Sequence, residues 1–247
     1  MPRLEDGAAS ASAATALEIG FSDVFASTVA KIPTDVEDEV AIIPFKWFAN
    51  KGTTAITNIT PGLVRQLYSS GEAKLSLFTG NSSDTSVVYP VGRNSDSGTR
   101  ATAMAESGYG NVVTVSQYSP TTASDVVSSL GGAANTGFSS GSSLKAVMNS
   151  TFGSGILIGY LGASDFAANG VPLKWNGVDY SEANIKAGLY TMWGYLHQNR
   201  MNSLSGNGLG FYNALKTQIE STSTSGLLKT TEMQSARDAD GAPVYEL

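Results

Sequence analysis

Val87-Val88-Tyr89-Pro90-Val91-Gly92-Arg93-Asn94-Ser95-Asp96-Ser97-Gly98-Thr99-Arg100 is an apolar run that gives way to a polar loop and then to a helix-like stretch from Ala101. A strand feeding a helix through such a loop brings unpaired backbone N–H groups, the helix dipole, small hydroxyls and a guanidinium toward one point. That combination suits a tetrahedral anion. It is a binding signature rather than a catalytic one, with Ser97 or Thr99 as the helix cap.

Outward from this loop, strands and helices alternate. Leu17 to Phe25 reads as a strand ending in the turn Ser22-Asp23, and Val40 to Phe48 as a second strand, broken at Pro44. Ile59-Thr60-Pro61-Gly62 carries a cap and a first-turn proline before Leu63, Val64, Leu67 and Tyr68 at helical spacing. Val112 to Val115 reads as a short strand, Ala123 to Leu130 as a helix closed by Gly131-Gly132, and Ser142 to Asn149 as a helix. Gly155 to Leu161 reads as a buried strand, Leu173 to Val178 as a hairpin-like turn, Leu189 to Tyr195 as an extended aromatic segment, Leu209 to Glu220 as an amphipathic helix and Leu227 to Ser235 as a last short helix. The alternation predicts an α/β protein whose ligand loops lie at the carboxyl ends of strands.

Composition narrows the chemistry. The 247 residues suffice for one large domain or two smaller ones, and 41% hydrophobic with 15% charged residues and 27 glycines fits a folded, turn-rich chain. A net charge of −6 offers no extended basic surface, so nucleic acid is not an expected partner. The absence of cysteine removes thiolate nucleophiles and disulfides, and a single histidine, His197, removes multi-histidine metal sites. No metal, cofactor or nucleophile elbow is expected, and His197 reads as a surface or helix-cap residue. Asp35, Glu37, Asp38 and Glu39 read as a solvated acidic face, and Tyr190, Trp193 and Tyr195 as a core or hinge cluster. The first residues, Met1-Pro2-Arg3-Leu4, lack the pattern of a secretory signal, and the Ser/Ala-rich stretch through residue 16 reads as a flexible segment.

Arg93-Asn94-Ser95-Asp96-Ser97-Gly98-Thr99 resembles the anion loop of the phosphate-binding, substrate-binding proteins of ABC transporters, in which an arginine precedes Ser-Gly-Thr by three intervening residues. Ile19-Gly20-Phe21-Ser22-Asp23 is similar to that family's segment whose aspartate accepts the proton of bound phosphate. Weaker echoes are Ile158-Gly159-Tyr160, Val178 to Ser181, Gly188 to Tyr195 and Asp240-Gly241. The resemblance spans residues 17 to 241.

It implies a periplasmic-binding-protein-like α/β fold of two lobes with mixed sheets, residues 17–91 with 190–247 forming one and 92–189 the other. It further implies a ligand set of Arg93, Ser97, Gly98, Thr99, Asp23 and Ser22, inorganic phosphate as ligand, an ABC transporter permease as partner, and a periplasmic or extracellular location. A carboxylate at Asp23 would favour phosphate, which retains a hydrogen near neutrality, over sulfate, which does not. Arg100 reads as a lobe or salt-bridge residue, its side chain projecting one position away from the loop. The family's N-terminal strand and helix find no match in the first sixteen residues, so the first lobe is expected to be incomplete and an unpaired sheet edge to favour self-association or a complementing chain. The alternative is a non-enzymatic structural, adhesion or assembly protein built on a degenerate form of this fold.

Overall fold

The computed structural model describes residues 18–28 and 36–247. The elements run β1 (Ile19–Ser22), β2 (Val36–Ala49), β3 (Asn58–Ile59), α1 (Pro61–Ser70), β4 (Ala73–Lys74), α2 (Ser76–Thr79), β5 (Val87–Pro90), α3 (Gly98–Glu106), β6 (Thr121–Ala123), β7 (Val126–Ser129), α4 (Gly141–Met148), β8 (Ile156–Gly162), β9 (Val171–Pro172), β10 (Lys174–Trp175), α5 (Glu182–Lys186), β11 (Trp193–Arg200), α6 (Gly206–Ser221), β12 (Ser235–Ala236) and β13 (Tyr245–Glu246). The stretch read as a flexible N-terminal segment lies outside the described residues, as does Asp35.

The main sheet has the order β1-β11-β2-β8-β5-β4, with β9 also on β2. It is mixed: β5 and β8 run parallel, while β11 with β2 and β2 with β8 run antiparallel. The fourteen-residue β2 joins two strand groups, with β11 along its first part and β8 along its last. The architecture is a two-lobed α/β arrangement with mixed sheets.

Pro44 does not break β2, contrary to expectation. Its partner in β11 is Trp193, where that ladder ends, and pairing with β8 begins at Phe45. A residue without an N–H is tolerated where one partner strand hands over to the next. The acidic run is solvated only in part: Glu39 is exposed, whereas Glu37 and Asp38 are partly buried. Glu37, Asp38 and Glu39 lie within β2 opposite β11, where Asp38 accepts the Tyr212 hydroxyl and the Lys216 ammonium at 2.6 Å.

The segment from Ala123 forms the β6–β7 hairpin rather than a helix. Ser124 and Asp125 take φ of 48° and 61°, the left-handed pair that closes a two-residue turn, and Val126 and Val127 are β-branched. Residues 112–115 form no strand: Val112 is exposed and only Val115 enters the core. Near the C-terminus a single 3₁₀ turn at Thr230–Glu232 replaces the expected helix, because Leu228 bridges Ile42 of β2 instead.

Other expectations hold. The Thr60 hydroxyl accepts the Leu63 N–H to cap α1, Pro61 occupies its first turn, and Gly71 closes it at φ 83°. The buried face of α1 is Val64, Leu67 and Tyr68. Tyr68 joins Trp47, Tyr160 and Trp175 in the central core, and Tyr190, Trp193 and Tyr195 belong to the same cluster. A second cluster packs Leu144, Val147 and Met148 of α4 against Leu157 and Leu161 of β8.

Candidate functional site

Two strand ends meet one helix start. Parallel pairing with β8 fixes β5, and the Tyr68 hydroxyl donates to the Val91 carbonyl at 2.7 Å, so the loop leaves the sheet at Gly92 under restraint. The Arg93 N–H donates to the Tyr160 hydroxyl, whose pKa burial pushes up to about 12, so that it remains a neutral phenol. The Arg93 carbonyl accepts Gln117 Nε2 at 2.9 Å. Ser97 takes extended backbone angles and its hydroxyl accepts the Arg100 N–H, capping α3.

From the other side, β1 pairs with β11, with Ser22 opposite His197, and delivers Asp23. Asp23 Oδ2 accepts the Thr99 hydroxyl at 3.2 Å. A Cβ at position 98 would lie 1.7 Å from Asp23 Oδ1, so only glycine there admits the carboxylate to the first turn of α3. Burial pushes the Asp23 carboxyl up from its ordinary range. The Asp23 and Thr99 backbone N–H groups, the Thr99 hydroxyl and the Arg93 charge pull the other way without overcoming it.

The structure therefore brings Asp23, Gly98 and Thr99 into contact, with Ser97 capping the same helix and Arg93 acting on the carboxylate through its charge. Ser22 serves the turn: its hydroxyl donates to the Val24 carbonyl at 2.7 Å and accepts the Val24 N–H. Arg93 also reaches toward α4, donating from Nε to the Phe138 carbonyl at 3.1 Å and from Nη2 to that of Ser139 at 3.2 Å.

Arg100 makes no salt bridge among the described residues. It is buried, and its guanidinium donates to Asn135 Oδ1 and to the carbonyls of Val113, Asn135 and Arg93. With Gln117 it clamps the loop against residues 134–138, where a Cβ at Gly137 would stand 2.4 Å from the Arg93 backbone. Neither Gln117 nor Asn135 was legible as a loop partner, because nothing local in sequence joins residue 93 to 117 or 135.

The turn carrying Asp23 has a support of its own. Asp240 Oδ2 accepts the Phe25 N–H at 3.0 Å and the Thr28 hydroxyl at 2.6 Å. Phe25 in turn lies against His197, ring centroids 4.5 Å apart. His197 is fully buried on β11, not at a surface or a helix end, and its Nδ1 lies 3.1 Å from Glu37 Oε1. Beside it, between Leu196 and His197, the register of β11 on β2 shifts. Among the described residues no group of three or more metal-ligating side chains stands together, and no helix is long and apolar enough to cross a membrane.

No family model matches the sequence, and no curated protein matches it. Solved structures do match in three dimensions. An ABC-type phosphate transport receptor from Vibrio cholerae superposes with a TM-score of 0.57 at 14% identity, over 81% of this chain and 73% of that one. A chain from Clostridium perfringens, solved with bound phosphate, gives 0.57 at 18% identity over 86% and 79%. A phosphate-binding protein from Stenotrophomonas maltophilia gives 0.52 at 15% identity over 86% and 72%. The fold is thus that of the periplasmic-binding-protein-like chains. At such identities the likeness speaks for the fold alone.

Proposed function

We propose that this chain binds phosphate or a related tetrahedral oxyanion reversibly, as a substrate-binding protein of the transport type. The observation that carries the reading is the Asp23 carboxylate seated on the first turn of α3 beside the Thr99 hydroxyl, under the charge of Arg93. A carboxylate at an anion-binding helix start accepts the hydrogen of phosphate and repels sulfate, which has none. Backbone N–H groups of α3 and the Arg93 fork supply the complementary donors. Nothing in this reading calls for covalent chemistry.

In the same reading residues 17–91 with 190–247 form one lobe and supply Asp23, and residues 92–189 form the other and supply Arg93 to one site. Ser97, Gly98 and Thr99 line it, and Ser22 stands at its edge. Closure would exclude water and strengthen every charge-assisted bond inside. A membrane permease would receive the anion outside the cytoplasm.

A second reading, a structural or assembly role, is favoured by one feature. Asp23 itself occupies the helix start, and Arg93 already donates to the Phe138 and Ser139 carbonyls, so protein groups occupy the place an anion would fill. Calorimetric titration with phosphate and sulfate separates the two. Transport-type binding predicts phosphate heat without sulfate heat, a loss of roughly 2 to 5 kcal/mol of phosphate affinity in Arg93→Ala, and a sulfate/phosphate dissociation-constant ratio that falls in Asp23→Asn. Silence for both anions in the wild-type chain favours the structural role.

A further inference from the structure

We propose a second ligand site, centred on Lys46 and separate from the Asp23–Arg93 site, that takes a small organic monocarboxylate. Lys46 lies on β2 opposite Leu161 of β8 and is partly buried. Its ammonium stands 3.8 Å from the ring centroid of Tyr180, 4.6 Å from that of Phe166 and 5.9 Å from that of Phe48. The ammonium lies over these rings, closest over Tyr180 and Phe166, which restricts the side chain in advance of any ligand.

What the rings do not supply is an acceptor. Among the described residues Lys46 has neither an ion pair nor a hydrogen-bond partner, and the nearby carboxylate of Asp179 is taken by Lys174 at 2.9 Å. Burial lowers the Lys46 pKa, the mark of an ammonium that has lost part of its hydration without gaining a counter-ion.

Beside the ammonium is a cavity of about 260 Å³. Thr54 and Thr57 bring hydroxyls to its wall, while Ile56, Val171 and Leu173 make an apolar floor. Lys174 and Asp179 line the cavity too, but as a closed pair; an unpaired cation among hydroxyls and aliphatic groups then matches a carboxylate head on a short apolar body. It suits a multiply charged, fully polar oxyanion poorly, since the floor would strip its hydration without replacement. None of the residues lining this cavity belongs to the Asp23–Arg93 site, so neither proposal depends on the other.

Methyl NMR of the full chain titrated with butyrate tests the site, with inorganic phosphate as competitor. Expected are saturable shifts at the Ile56 and Leu173 methyls, retained in Arg93→Ala and in the presence of phosphate. Lys46→Met should weaken binding at least about tenfold through loss of a charge-assisted bond, and Lys46→Arg, which keeps the charge, should retain saturable binding if Lys46→Met fails to fold. The proposal is overturned if butyrate gives no saturable shifts in the wild-type chain, if Lys46→Met titrates like it, or if phosphate displaces butyrate from these methyls.

Discussion

His197 shows how far a single residue's character depends on what covers it. In sequence it stands between Leu196 and Gln198 with no acidic or metal-ligating pattern around it, which suggests an exposed site. In the fold Phe25, arriving from 172 positions earlier in the chain, covers its ring, and burial pushes its pKa from 6.5 down to about 4. Glu37, whose carboxyl lies 3.1 Å from the ring, is itself pushed up by burial. A folded-state pKa below the unfolded one means that the unfolded chain takes up a proton first as pH falls. The histidine's contribution is therefore complete above about pH 6.5 and is lost between there and pH 4, by roughly 3 kcal/mol in all. Because this is the chain's one histidine, its ring signals need no assignment. They should remain those of neutral imidazole at pH 5.5, and a titration midpoint at 6 or above would refute the burial argument. Gly98 was read as admitting a ligand close to the backbone; in the fold the atoms it admits are those of Asp23, which no local motif joins to it.

At the scale of elements, legibility followed the locality of the signal. Helix α1 could be read because its cap, its first-turn proline and its apolar spacing all lie between Thr60 and Tyr68. Thr60→Ala should cost about 1 kcal/mol in chemical denaturation, the usual worth of a side-chain cap, while Thr60→Ser should cost much less. A loss below a few tenths in the alanine variant would mean that water caps the helix equally well. The β6–β7 hairpin was misread because Ala-Ser-Asp before Val-Val-Ser-Ser-Leu also fits a capped helix. The decision came from outside the segment, where Thr151 exchanges backbone bonds with Asp125 and Val127. Pro44 was misread for a related reason. A proline signals interruption unless the strand changes partners at that residue, and the partners come from 117 to 149 residues away.

Across the whole molecule, the C-terminal segment ties together both halves of the candidate site. Asp240 holds the turn after Asp23, and a Cβ at Gly241 would strike the Ala105 backbone on α3 at 2.7 Å. Next to them Arg237 forms an ion pair with Glu106 at the end of α3, donates to the Thr191 carbonyl at 2.7 Å and lies 4.2 Å from the Trp193 ring centroid. The Arg237 side chain has no exposed surface and that of Glu106 only 6%, so these charges have exchanged water for each other. Burial lowers the Arg237 pKa to about 10, and the nearby Asp240 charge counters part of that cost. Such a pair adds little net stability over an apolar replacement, yet losing one member strands the other. Glu106→Gln should therefore destabilise the chain by about 3 kcal/mol in urea unfolding, near the lower end for a buried pair because Asp240 still faces the cation. The double variant Glu106→Leu with Arg237→Met should recover part of that loss, since neither member of the pair is stranded, while Asp240 loses the facing cation and keeps the Phe25 N–H and the Thr28 hydroxyl. A single-variant loss under about 1 kcal/mol would show that Asp240 and the Thr191 carbonyl carry the guanidinium unaided. A double variant no better than the single one would instead mean that the pair fixes the approach of the C-terminal segment to α3, and with it the geometry that holds Asp23 against Thr99.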